Sequence, residues 1–176
     1  MLVLRIENLF ARRSIRSFTA EPVEPAQVEM LLEAAMAAPS AANRKPWHFV
    51  VVTDAGVRRA LAAAHPHAAM VVQAPLAIVP CGDPSLGIPD RPDYWVQDLA
   101  AATENILLAA TGLGLGSVWC GVHPVPERVE GVRRVLGIPD GVTPFALVAI
   151  GHPAEHKEPR TQYDPQRVHA DRWQRR

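Results

Sequence analysis

One segment limits the choice of folds for this chain more than any other. From Asp98 to Leu113, helical spacing places Leu99, Ala102, Ile106, Ala109, Ala110 and Leu113 on one side of a helix. The opposite side is also mostly alanine and leucine, broken by Glu104 and Asn105. A helix with so few charges is covered on nearly all sides. The chain has 176 residues and reads as a single domain, 1–176. In so small a domain, the remaining cover, over Ala109 among others, is expected from a second subunit.

Shorter elements surround this helix. Val28, Leu31, Leu32, Ala35 and Met36 recur at helical spacing, with Pro25 suited to a first turn and Pro39 ending the run. The β-branched run Trp47–Thr53 predicts a buried strand, and Asp54 predicts the N-cap of a helix to about Ala64, in which Arg58 reads as solvent-facing. Leu76–Cys81, Ser117–Cys120 and Thr143–Ile150 predict further strands, and Pro126–Leu136 a helix. Residues 82–94, with Gly82, Pro84, Gly87, Pro89 and Pro92, predict an irregular loop. From Gly151 onward the tail is polar and extended, with Trp173 as its one anchor. The class is mixed α and β.

Composition excludes several functions. Lys+Arg and Asp+Glu each total 18, so the chain is neutral and lacks the basic face that nucleic-acid binders carry. No apolar run is long enough to span a membrane, and the early charges Arg5 and Glu7 argue against a signal peptide. Cys81 and Cys120 are distant thiols without a disulfide framework, as expected of a cytoplasmic protein. The 17 prolines separate periodic segments and so punctuate short elements.

Against this neutral background, Arg12-Arg13-Ser14-Ile15-Arg16 concentrates three guanidinium groups and a hydroxyl. An arginine fork matches phosphate oxygens, and a hydroxyl adds one more hydrogen bond. A solvated stripe is the other reading of the same residues. A second segment, Ala38-Pro39-Ser40-Ala41-Ala42-Asn43-Arg44-Lys45-Pro46-Trp47, presents Ser40, Asn43 and Lys45 from a proline-bracketed loop. Gly112, Gly114 and Gly116 follow a helix and precede a strand. A dinucleotide-binding turn needs the reverse order, so these glycines predict helix termination and a tight turn. His65, His67, His152 and His156 lack supporting ligands, so no metal is expected. Cys120, beside Trp119 in an apolar strand, reads as an inert core thiol.

Taken in order, RRSIR, APSAANRKPW, the 98–113 helix, GLGSVWCG and VAIGHP resemble the FMN-dependent nitroreductase family over about Arg12–Trp173. The resemblance implies an α+β sandwich of a central mixed or antiparallel sheet flanked by helices. It also implies an interlocked homodimer with FMN at the subunit interface. Arg12, Arg13, Ser14 and Arg16 would then belong to the FMN site, Arg12 and Ser14 at the phosphate and ribityl end and Arg16 at the N1–O2 edge. Pro39, Ser40, Ala41 and Asn43 would arrive from the other subunit. Cys120 and Gly121 would offer backbone groups near N5 and O4, and Lys157 and Arg160 would add phosphate contacts. Lys45 stands where the family usually has Gln, and Ala41 where it often has Ser. No polar residue in His67–Gln73 matches those that some members place before the second strand. The activity implied is hydride transfer from NAD(P)H to a small acceptor (a nitroaromatic, quinone or flavin) by a ping-pong mechanism, with Arg16 and Lys45 as electrostatic tuners and no certain catalytic side chain. Reductive dehalogenation on the same fold and an FMN-binding sensor or storage protein remain alternatives.

Overall fold

A computed structural model describes residues 6–91 and 93–173; Arg5 and Pro92 lie outside the described residues. The elements run α1 (Glu7–Ala11), α2 (Pro25–Met36), β1 (Trp47–Val52), α3 (Ala55–Ala64), β2 (Leu76–Gly82), α4 (Tyr94–Gly112), β3 (Gly116–Gly121), α5 (Pro126–Leu136), β4 (Thr143–Pro144) and β5 (Ala146–Gly151). Short 3-10 segments cover Ala41–Asn43, Ala69–Val72, Pro84–Leu86 and Pro165–Arg167. The strands form one antiparallel sheet in the order β1-β2-β5-β3, with β4 beside β2.

Strand alternation divides the apolar side chains between two faces. Leu76, Ile78, Val148 and Ile150 meet α2 and α4 on one side. Ala77, Val79, Leu147, Ala149, Val118 and Cys120 join Leu61 of α3 and Val132 of α5 on the other. A three-layer sandwich results. Both central strands, β2 and β5, are buried along their whole length. Cys81 lies deep enough that burial pushes its thiol pKa up to about 12, against a small opposing pull from Arg133.

Local chemistry sets the element ends. Glu24 and Gln27 form a reciprocal capping box at the start of α2, with Pro25 in the first turn. The Asp54 carboxylate accepts the Val57 N–H at 2.8 Å, as expected of an N-cap. Gly137, at φ 64°, closes α5 in the left-handed region.

Several expectations need correction. The long helix begins at Tyr94, four residues before Asp98, because Trp95 and Leu99 extend the buried stripe. Asp98 is itself buried, and its carboxylate accepts the Ala41 N–H at 2.9 Å. Ala109 packs inside this chain and is 8% exposed, so it does not await a partner. The stripe left half-covered contains Ala101, Glu104 and Leu108.

The strand expected over Thr143–Ile150 is split at Phe145, whose N–H turns to the Pro80 carbonyl at 2.8 Å. Pro80 has no N–H to give and falls between the β5 and β4 pairings of β2, where none is needed. Arg58 does not face solvent freely: its NH1 reaches the carbonyls of Val71, Val72 and Ala74. Residues 82–91 are more ordered than expected, with a 3-10 turn and an Ile88–Arg91 bridge. Trp173 is 81% exposed and stacks on His169, so it anchors nothing on the body of this chain.

Candidate functional site

The arginine-rich segment emerges from α1 and runs extended beside the start of β3. Arg12 N–H still returns to Asn8, ending the helix. Ser14 then pairs in parallel with Ser117, and the Ile15 N–H donates to the Ser117 carbonyl at 3.0 Å. Gly116 makes this approach feasible. A Cβ there would stand 2.7 Å from Ile15 Cγ2, closer than carbon atoms pack.

The polar tail fastens the same segment from its other side. One Glu155 oxygen accepts the N–H groups of Arg16 at 2.5 Å and Ser17 at 3.3 Å. Lys157 donates to the Ser14 carbonyl at 2.7 Å and pairs with Glu155 at 3.2 Å. These partners, the Arg16 N–H first, hold the Glu155 pKa below the usual carboxylate value. Arg13 NH1 reaches the Glu158 carbonyl, and the Arg160 N–H donates to Phe10. Arg12, Arg13, Ser14, Arg16, Lys157 and Arg160 are thus gathered in one region from opposite ends of the chain. Lys157 acts here as a clasp on the Arg12–Arg16 backbone.

Alternation along the extended segment separates its side chains. Arg13 and Ile15 line a cavity of about 220 Å³ with Thr111, Gly114 and Lys157. Arg16 lines another, of about 490 Å³, with His67, Met70, Trp119, Cys120 and Gly121. Arg12 pairs with Glu104 of α4 at 3.3 Å; burial raises the Glu104 pKa and Arg12 opposes that rise.

The larger cavity opens on the outer edge of the sheet. In an antiparallel ladder, alternate residues send both backbone groups to the same side. Ser117 turns its carbonyl outward to Ile15, whereas Val122 turns its N–H inward to Phe145. By the same alternation Trp119 and Gly121 face outward and Cys120 faces β5. Among the described residues, the Ser14 bridge is the one pairing on that edge. Beyond it, the N–H groups of Trp119 and Gly121 point toward the cavity side. Of the expected pair Cys120 and Gly121, then, Gly121 carries the outward donor. The Cys120 thiol is 6% exposed, and burial raises its pKa despite Arg16 and Arg128 nearby, which keeps it protonated.

The Pro39–Asn43 loop lies elsewhere on this chain. Asp98 holds Ala41, and the Ser40 hydroxyl accepts the Lys45 N–H at 2.9 Å. Ala42, Asn43 and Lys45 all have positive φ, a strained run that fixes the loop's shape. Asn43 and Lys45 are exposed. Asp98 and Glu104 are six residues apart on α4, about 9 Å along the helix and on different faces. No hydrogen bond or ion pair joins this loop to Arg12–Arg16 among the described residues.

Several cavity residues carried no sequence signal for this role. His65, His67 and Met70 come from the turn after α3, and Arg128 from the first turn of α5. The Pro66-split histidine pair is one visible sign, and the His67–Gln73 stretch, where the resemblance finds no matching polar residue, is the other.

The geometry is thus an antiparallel sheet between helical layers with a donor-lined cavity against its outer edge. The Nitroreductase family model matches residues 9–84 and 66–152. A chain from Methanothermobacter thermautotrophicus, provisionally named an NADH dehydrogenase/NAD(P)H nitroreductase, is 45% identical over 168 residues, covering 96% of this chain and 87% of that one. The crystal structure of a similarly named protein from Parabacteroides distasonis matches with a TM-score of 0.91 and 38% identity, covering 96% of this chain and 98% of that one. An FMN-dependent nitroreductase from Clostridium difficile matches with a TM-score of 0.89 and 29% identity, covering 96% and 100%. The chain belongs to the nitroreductase family.

Proposed function

We propose that this chain is an FMN-dependent oxidoreductase that takes hydride from NAD(P)H and delivers it to a small acceptor. The observation that carries this reading is the meeting of Arg16, at the end of the basic segment that Ser14 pairs to β3, with the outward edge of β3 in one cavity. The donor set fits FMN: guanidinium and hydroxyl groups suit a phosphate, and strand-edge N–H groups beside Arg16 suit the heteroatom edge of a flavin. The names of the related proteins, FMN-dependent nitroreductase and NAD(P)H nitroreductase, support the same cofactor and reductant.

Bound there, FMN supplies the hydride chemistry, and the protein supplies orientation and field. Arg12 and Ser14 hold the phosphate and ribityl end, with Arg13 and Arg160 adding positive charge around it. Lys157 acts through the Ser14 carbonyl and Glu155, fixing the segment's path. The Gly121 and Trp119 N–H groups orient the ring edge, and Arg16 favours negative charge developing beside it. Pro39, Ser40, Ala41 and Asn43 reach the same cofactor from a second chain, with Lys45 beside them. Leu9, Phe10, Met30 and Met36 are exposed on α1 and α2, and the half-covered stripe of α4 continues that surface. A homodimer partner would cover them.

Reductant and acceptor share one cavity in turn. The Gly112–Gly116 turn supports this, since it runs from helix to strand, the reverse of a dinucleotide-binding turn. Ping-pong kinetics result. The acceptor class is a nitroaromatic, quinone or flavin.

Three measurements test the reading. Heat-denatured protein should release one FMN per chain, identified by chromatography. Anaerobic NADH or NADPH should bleach the bound flavin, and steady-state double-reciprocal plots should be parallel. Colourless protein that refuses added FMN would sink the reading. Yellow protein that neither nicotinamide bleaches would be a flavin carrier. Intersecting plots would separate the two substrates' sites.

A further inference from the structure

His65 ends α3 and is 2% exposed. Both of its ring nitrogens are engaged by main chain. The His67 N–H donates to Nδ1 at 3.1 Å, so that nitrogen carries no proton. The proton is therefore on Nε2, which stands 2.8 Å from the Gly121 carbonyl oxygen. The ring is fixed in one tautomer and joins two segments distant in sequence.

One segment is the turn that follows α3. Ala68 N–H returns to the His65 carbonyl at 3.1 Å, and Pro66 restricts the backbone between them. This turn delivers His67 and Met70 to the cavity wall. The other is the outward end of β3. Arg128 also donates to the Gly121 oxygen, at 3.0 Å, so both of its lone pairs are filled. Nothing lies within 4 Å of where a Gly121 Cβ would stand. Side-chain packing therefore does not orient this residue, and hydrogen bonds must.

We propose that His65 is a positioning residue of the flavin site, clasping the His67–Met70 wall to the end of β3 so that the strand end carrying the Gly121 N–H is held in place before any ligand arrives. The inference rests on the flavin reading above. Holding both walls in place in advance removes an ordering cost from binding. An aliphatic side chain would fill the same space but leave the His67 N–H without its acceptor and the Gly121 oxygen with Arg128 alone.

Substitution separates the two bonds. In His65→Gln the amide nitrogen takes the place of Nε2 and keeps the Gly121 bond, but nothing accepts from His67. In His65→Asn the amide oxygen takes the place of Nδ1 and keeps the turn, but the Gly121 bond is lost. His65→Ala loses both. FMN is titrated into flavin-free protein and followed by fluorescence quenching and absorbance. Amide hydrogen exchange at His67 is measured without flavin, as a readout independent of the cofactor.

The His67 amide should exchange slowly in wild type and the Asn variant and quickly in the Gln and Ala variants. FMN affinity should fall about tenfold in His65→Asn and further in His65→Ala, as one lost hydrogen bond and then two imply. His65→Gln should stay within about threefold of wild type and keep its flavin spectrum. Should His65→Ala fail to fold, the Gln and Asn contrast carries the test. Equal affinity in all variants would show that the clasp does not reach the site. Equal losses in the Gln and Asn variants would reduce His65 to packing. Either result overturns this inference alone, whereas wild type that takes up no FMN overturns the flavin reading and this inference together.

Discussion

At the residue scale, the arginines of the N-terminal segment differ in what already holds them. Arg13 is tied to the Glu158 carbonyl, whereas among the described residues the Arg12 side chain meets the half-exposed Glu104 carboxylate alone. A phosphate dianion competes well with a partner of that kind. Arg12→Ala should therefore weaken FMN binding by about 1.5–3 kcal/mol, roughly tenfold to a hundredfold. The control is Arg59→Ala, at an exposed position of α3. Arg58 would be a poor control, since it pins three carbonyls of the turn that leads to β2. Equal titration curves for wild type and the Arg12 variant would move the phosphate elsewhere.

Glu155 gives a pH prediction. Its folded-state pKa is depressed below 4.5, the Arg16 N–H being the main cause. A depressed carboxylate contributes its stability above the unfolded value and loses it as pH falls through the folded value. The difference in urea stability between wild type and Glu155→Gln should be constant at neutral pH and shrink only below 4.5. A difference that shrank on the alkaline side would mean another group controls this clasp.

At the element scale, β3 depends on what its first residue lacks. The clash of a Gly116 Cβ with Ile15 must be relieved by moving a buried isoleucine that carries the Ser14 bridge with it. Gly116→Ala should cost about 1–3 kcal/mol of stability, as overpacked sites do. FMN affinity should fall as well, because Ser14 moves with Ile15. Denaturant unfolding of the flavin-free protein and a flavin titration would report the two effects separately.

Helix α4 carries the other element-scale prediction. Ala109 is already covered within the chain, so a charge there would disrupt folding and say nothing about a partner. Ala101 lies on the half-covered stripe, three residues before Glu104. Ala101→Glu should leave far-UV circular dichroism unchanged, weaken dimerisation by several kcal/mol and release flavin with it. Light scattering beside flavin absorbance checks this. A monomer with full FMN occupancy would show that one chain builds the whole site.

At the scale of the whole molecule, two features place the proposed site. The chain crosses back on itself so that residues 155–160 hold residues 10–17, which brings distant basic groups to one place. The sheet order leaves β3 on an edge, and an edge strand has N–H groups to spare. Among the described residues, no helix is long and apolar enough to cross a membrane.

What the sequence determined by itself were the features with local causes. Proline and Asp54 signals set helix starts, β-branched runs set strands, and the charge density of Arg12–Arg16 marked the segment that approaches β3. Tertiary structure alone decided the rest. That Arg13 and Arg16 line different cavities depends on the segment being extended, which the Ser14 bridge and the Glu155 clasp impose from outside it. That Gly121, and not Cys120, faces outward depends on ladder parity set by β5. His65 was silent for the same reason: its two partners are main-chain groups, one of them 56 residues away, and backbone atoms leave no mark on residue type. The sequence specifies which side chains carry charge or fit a turn, whereas the direction of a backbone N–H is fixed only when a neighbouring strand takes up the alternate ones.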